Sequence, residues 1–183
     1  MVYISGGNEL LDPAAILGRL GIKTGAKVAD LGCGGAGHFI VPVARLVGSH
    51  THVYAVDILK SALRSVASKA RLEGINNIRN VWSDLEIPGA TKIRRQSLDF
   101  ALLINILFQS KQHENIIKEA IRLVKEDGKI LVIDWNQALA SFGPPPLNRV
   151  KSEEIIKIAK KLNLKLIDEF DAGTYHFGLI FTK

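Results

Sequence analysis

The sequence predicts an α/β protein with a doubly wound, mainly parallel sheet of seven strands, and three observations carry that expectation. Short apolar runs alternate with amphipathic runs between residues 27 and 135. The first apolar run ends in a glycine-rich turn, Gly32-Cys33-Gly34-Gly35-Ala36-Gly37. Two last strand-like runs, 164–170 and 174–182, are joined only by Asp171-Ala172-Gly173. Strands that alternate with crossover helices lie parallel, whereas so short a join forces an antiparallel hairpin at the carboxyl-terminal edge.

In chain order, Asp12-Pro13 reads as an N-cap with proline at the first helical position, and Gly21 stops the short helix 14–20. Strand 27–31, a helix near 38–47, strand 52–57, helix 61–73 ended by Gly74, and strand 78–82 follow as a βαβαβ unit. Pro42 falls near the first turn of its helix, where a missing N–H costs least. Residues 98–104 are a nearly continuous apolar run, the signature of a strand covered on both faces. Helix 112–125 and strand 129–135 come next. Gly143-Pro144-Pro145-Pro146 makes 136–150 a loop, and Ser152-Glu153-Glu154 opens the last helix, to 162.

At 183 residues and 47% hydrophobic content, the chain suits one well-buried domain over 1–183, with a short N-terminal arm. The net charge is +6, but the excess is largely scattered lysine, the pattern of a solvated surface. Lys92, Arg94 and Arg95 are its sharpest cluster and sit in the loop before the fourth strand. Cys33 is the only cysteine, which excludes an internal disulfide and fits a reducing cytoplasm. The N-terminus lacks the basic and apolar runs of a signal peptide, and no apolar stretch is long enough to cross a bilayer, so membrane insertion is not expected. His38, His50, His52 and His113 form no trio with metal-ligand spacing, and no metal is expected.

A glycine turn between strand and helix lets a ligand approach the backbone, and a carboxylate about 20 residues on, here Asp57 closing the second strand, suits a ribose. The spacing of Gly32, Gly34 and Gly37 fits dinucleotides and S-adenosyl-L-methionine (SAM) alike. Asp30 favours SAM, because an acid two positions before the first glycine would face the negative pyrophosphate of NAD. The antiparallel ending favours SAM as well, since a dinucleotide domain continues with parallel βα units.

These residues resemble the class I SAM-dependent methyltransferases, a Rossmann-like superfamily, and within it the small-molecule group that includes the ubiquinone/menaquinone-biosynthesis C-methyltransferases. The likeness rests on residues 28–37, Asp57, Ser83-Asp84-Leu85, Asn105 and 123–129, and covers nearly the whole chain. It implies that Gly32, Gly34 and Gly37 line the methionine and ribose, Asp57 takes the ribose hydroxyls, and Ile58 packs on adenine. It further implies that Asp84 accepts from the adenine amino group, the Leu85 N–H meets a ring nitrogen, and Asp30 acts on the methionine amino group.

Asn105, just beyond the fourth strand, is expected where the ligand crevice opens, facing the transferred methyl or starting a turn. It is followed by Ile106-Leu107-Phe108 and not by the Pro-Pro-Tyr of enzymes that methylate amino groups, which disfavours nucleic acid as acceptor. Topology sends Asp134, at the end of the fifth strand, toward His176, at the start of the last. They are expected either as a carboxylate and general base or as a buried structural pair. A small-molecule methyltransferase is therefore the leading expectation. Methylation of RNA or protein, and a SAM- or NAD-binding module without catalysis, are the competing ones.

Overall fold

The computed structural model describes residues 10–138 and 140–183. Seven strands, β1 (Val28–Leu31), β2 (Val53–Asp57), β3 (Ile78–Trp82), β4 (Leu98–Ile104), β5 (Val124–Trp135), β6 (Lys165–Gly173) and β7 (His176–Thr182), form one sheet in the order β3-β2-β1-β4-β5-β7-β6. The pairs among β1 to β5 are parallel, while β7 is antiparallel to both β5 and β6. Sheet order reverses at β1, so a crevice opens beyond the carboxyl ends of β1 and β4.

Helices cover both faces: α1 (Pro13–Leu20), α2 (Ile40–Val47) and α3 (Lys60–Leu72) on one, α4 (His113–Leu123) and α5 (Ser152–Lys161) on the other. Strand alternation divides the core accordingly. Ala101 and Leu103 of β4 pack with Ile116, Ile117 and Ala120 of α4, whereas Leu102 and Ile104 pack with Ile40 and Val43 of α2. Asp12 caps α1, its Oδ1 accepting from Ala14 N (2.9 Å) and Ala15 N (3.2 Å). Arg19 of α1 holds the far edge of the sheet through Asp168 of β6, Nε to Oδ2 at 2.6 Å and Nη2 to Oδ1 at 3.1 Å.

Two boundaries differ from expectation. Helix α4 stops at Leu123, and β5 already begins at Val124, which pairs with Leu98. The register then shifts, and Phe100 pairs with Lys129; the extra residues form a bulge in which Asp127 has φ 62°. At the hairpin, β6 continues through Asp171 and Ala172 to Gly173, which pairs with His176, so the turn is Thr174-Tyr175. A register shift between Asp171 and Gly173 lets Ala172 lie unpaired within the strand.

Candidate cofactor and acceptor site

The turn after β1 is shaped by its own neighbours as well as by any ligand. Gly32 has φ +83°, and a Cβ there would lie 2.7 Å from Ile106 Cδ1, so this glycine is required by packing against the turn after β4. Gly34 (φ +62°) differs, because a Cβ there would meet nothing within 4 Å. The positive φ excludes most side chains, and the space beside it is open. Gly37 carries the chain toward α2. Cys33 between these glycines is 3% exposed and its thiol pKa is raised by burial, which makes it a wall residue.

Asp57 ties the turn to β2. Its Oδ2 accepts from Gly34 N (2.9 Å) and its Oδ1 from Leu59 N (2.8 Å). One residue on, Ile58 is 53% exposed, with its carbonyl held by Trp82 Nε1 at 2.8 Å. Asp84 forms a turn by accepting from Glu86 N (2.9 Å) and presents Leu85. Gly32, Asp57, Ile58, Asp84 and Leu85 all line one crevice of about 240 Å³, together with Ile106, Gln109 and Ser110.

Asp30, Gly34, Gly37 and Asn105 lie outside that lining. Asp30, on the α1–α3 face of β1, is 3% exposed, and among the described residues none donates a hydrogen bond to it. Burial, reinforced by the Asp57 charge, pushes its pKa up to about 7. Asn105 is buried in the left-handed conformation (φ 54°) that asparagine tolerates, its N–H donating to Ile133 O (2.8 Å) and its carbonyl accepting from Gln109 Nε2 (2.7 Å).

The expected Asp134–His176 pair does not form. The register sets Trp135 opposite His176 and Asp134 opposite Phe177, so the two side chains project from opposite faces of the sheet. Asp134 instead accepts three backbone N–H groups: Leu107 (2.9 Å) and Phe108 (3.1 Å) on Oδ2, and Trp135 (2.8 Å) on Oδ1. Burial raises its pKa to about 7 in spite of these donors. Its position thus fixes the turn whose neighbours Ile106 and Gln109 line the crevice. His176 is fully buried against Trp135, ring centroids 4.5 Å apart. Burial first, and the Arg149 charge second, lower its pKa to about 4, so its imidazole is neutral.

Two supporting residues had not been singled out for such roles. Glu119 of α4 is fully buried and accepts from Gly89 N (2.7 Å), Thr91 N (3.0 Å) and Arg122, holding the loop that carries Asp84. Burial opposes its charge, yet Arg122 and these donors keep its pKa down at about 2. His113 Nε2 contacts the carbonyls of Leu107 (3.1 Å) and Ser110 (2.9 Å), bracing the same turn as Asp134. Spacing could have disclosed Glu119, which falls on the apolar stripe of Ile116, Ala120 and Leu123.

His38 contacts Leu11 O at 3.1 Å and so fastens the segment before α1 to the glycine turn. Lys92, Arg94 and Arg95 are exposed. Arg94 joins Lys27, His50 and His52 in a groove at the amino ends of β1 and β2, across the sheet from the crevice. Among the described residues no group of three His, Cys, Asp or Glu side chains could hold a metal ion. No helix among them is long and apolar enough to cross a membrane.

Sheet order, glycine turn and terminal carboxylate together define a Rossmann-like fold of the methyltransferase type. A family described as "Methyltransferase domain" matches residues 22–169, and the chain belongs to this family of SAM-dependent methyltransferases. Probable cobalt-precorrin-6B C(15)-methyltransferases (decarboxylating) are among its relatives. That of Saccharolobus solfataricus is 31% identical over 160 residues, 84% of this chain and 76% of the relative. That of Methanosarcina mazei is 36% identical over 80 residues, and the match spans only 42% of the relative's length. The ubiquinone/menaquinone biosynthesis C-methyltransferase UbiE of a Marinomonas species is 27% identical over 94% of this chain and 66% of its own. A SAM-dependent methyltransferase from Aquifex aeolicus shares the fold, with TM-score 0.84 and 24% identity over 96% of this chain and 92% of that one.

Proposed function

We propose that this protein transfers the methyl group of SAM to a small-molecule acceptor. The observation that carries the reading is the convergence of Gly32, Asp57, Ile58, Asp84 and Leu85 on one crevice at the point where sheet order reverses. Asp57 takes the ribose hydroxyls, Ile58 packs on adenine, Asp84 accepts from the adenine amino group, and the Leu85 N–H meets a ring nitrogen. Gly34 and Gly37 give the backbone its close approach. Asp30 faces the methionine ammonium, and Asn105 supports the methyl end.

SAM supplies an electrophilic methyl on a sulfonium, so the protein's tasks are alignment and exclusion of water. Asp30 favours a cation and opposes the pyrophosphate of a dinucleotide. Asp134 is a positioning residue, acting through the Leu107 and Phe108 N–H groups on the turn beside the crevice. Methylation of small molecules by the named relatives supports the acceptor class, and the lone cysteine supports a cytoplasmic site of action for one domain over 1–183.

Thermal-shift titration tests the cofactor: SAM and S-adenosylhomocysteine should raise the melting temperature where NAD and NADP do not. The reverse order would move the protein to another class. Radiolabelled methyl transfer to fractionated metabolites, with total RNA in parallel, tests the acceptor, and label recovered only in RNA would overturn the small-molecule reading.

A further inference from the structure

At the carboxyl end of β5, on the face away from Asp134, Trp135, His176 and Arg149 form a buried polar cluster. Trp135 and His176 are fully buried and Arg149 is 8% exposed. Among the described residues, Trp135 Nε1 and both ring nitrogens of His176 have no hydrogen-bond partner. Arg149 Nε donates to Pro144 O (2.9 Å), and Nη1 donates to Asn136 O (3.0 Å) and Ala138 O (2.5 Å). These are neutral carbonyls, and among the described residues no carboxylate lies within ion-pair distance of this guanidinium and no group accepts from Nη2. A buried cation without a counter-charge, beside an unsatisfied indole N–H and imidazole, is costly unless something else completes the cluster.

The cluster is walled by aromatic rings. Arg149 lies over Trp135, 5.5 Å from its centroid, and Phe142 packs edge-on against both Trp135 (6.1 Å) and Tyr175 (4.9 Å). Phe142, 45% exposed, lies on the outer side of the Trp135 ring. Gly143 packs so closely on the Trp135 ring that a Cβ there would overlap it.

We propose that Arg149, Trp135 and His176 form the subsite that selects the methyl acceptor, and that it takes an acceptor bearing a carboxylate on an apolar, planar body. The inference rests on the methyltransferase reading. The carboxylate would accept from Arg149 Nη2 and from the Trp135 indole, and its body would replace Phe142 against Tyr175. His176, neutral, offers one further N–H and one acceptor nitrogen. A planar carboxylate is matched by a guanidinium better than by any other cation.

The test uses 15N-labelled full-length protein saturated with S-adenosylhomocysteine, following the indole N–H resonance of Trp135. The chain has two tryptophans, and Trp82→Phe assigns them. Benzoate is the probe and benzamide its neutral counterpart. Benzoate should shift the Trp135 resonance saturably, with benzamide at least about tenfold weaker, and Arg149→Gln should abolish that discrimination. Equal response to the two probes, or no response to benzoate at tens of millimolar, overturns the proposal. The wild-type comparison decides this even if Arg149→Gln fails to fold. Failure to bind S-adenosylhomocysteine in the same samples would instead remove the methyltransferase reading.

Discussion

The Gly34 N–H donates to Asp57 Oδ2 at 2.9 Å, so the carboxylate closing β2 and the glycine turn after β1 are one structural unit. Asp57→Ala therefore removes a ribose acceptor and loosens the backbone at Gly34 together. S-adenosylhomocysteine affinity should fall by about 1.5–3 kcal/mol, the worth of a hydrogen bond to a charged group. Unchanged titration heats in the variant would refute this placement of the ribose.

Asp30 should make cofactor binding pH-dependent. Its pKa, raised from 3.8 to about 7, means that the folded state holds this proton more tightly than the unfolded chain. The associated stability is complete below the ordinary carboxylate value and is lost as pH rises through 7. A cofactor ammonium favours the ionised form, so affinity for S-adenosylhomocysteine should weaken on acidification, approaching about tenfold per pH unit below pH 7. In Asp30→Asn the binding profile should be flat, and the ligand-free protein should gain on wild type in melting temperature progressively as pH rises from about 4 to about 8. Calorimetry across that range checks both signs.

Asp134→Asn replaces one of two accepting oxygens with an NH₂ group that faces backbone donors in either orientation. The cost should be about 1–3 kcal/mol, seen as a drop of roughly 3–10 °C in melting temperature. Cofactor affinity should weaken too, because Ile106 and Gln109 flank the turn that is released. A variant as stable as wild type would show that the three donors find other acceptors.

Glu119→Gln should destabilise by about 2–4 kcal/mol, since it leaves Arg122 unmatched and weakens the hold on Gly89 and Thr91. The folded pKa of about 2 lies below the ordinary 4.5, so the stability due to Glu119 is present above pH 4.5 and lost as pH falls toward 2. Acid denaturation of the variant should accordingly be shallower. An unaltered acid limb would assign that sensitivity to other carboxylates.

The sheet was legible in the sequence because its signals are local. Val28–Leu31 and Leu98–Ile104 are apolar enough to be buried on both faces, and Asp12-Pro13, Gly21 and Gly74 punctuate the helices as capping chemistry requires. The crevice was legible because Gly32, Asp57, Ile58, Asp84 and Leu85 lie at a strand end or within three residues beyond it, where the resemblance to class I methyltransferases sets cofactor contacts. What failed was pairing across the sheet. Placing the turn at 171–173 left the facing of β7 open, and the observed pairing of Trp135 with His176 puts the histidine on the face opposite Asp134. Arg149 was invisible because its partners are main-chain carbonyls of an irregular loop, which no periodicity encodes.

Asp134 and Trp135 are successive residues of one strand, yet one steadies the crevice turn and the other floors the Arg149 cluster on the reverse side. A single peptide unit is therefore shared by two compartments. Trp135 N and the Leu107 and Phe108 amides all donate to the one Asp134 carboxylate, so a tilt of the indole that admitted a guest would be passed through it to that turn. Crowding on the Arg149 side is thereby passed, across the thickness of a backbone, to the turn that flanks the crevice.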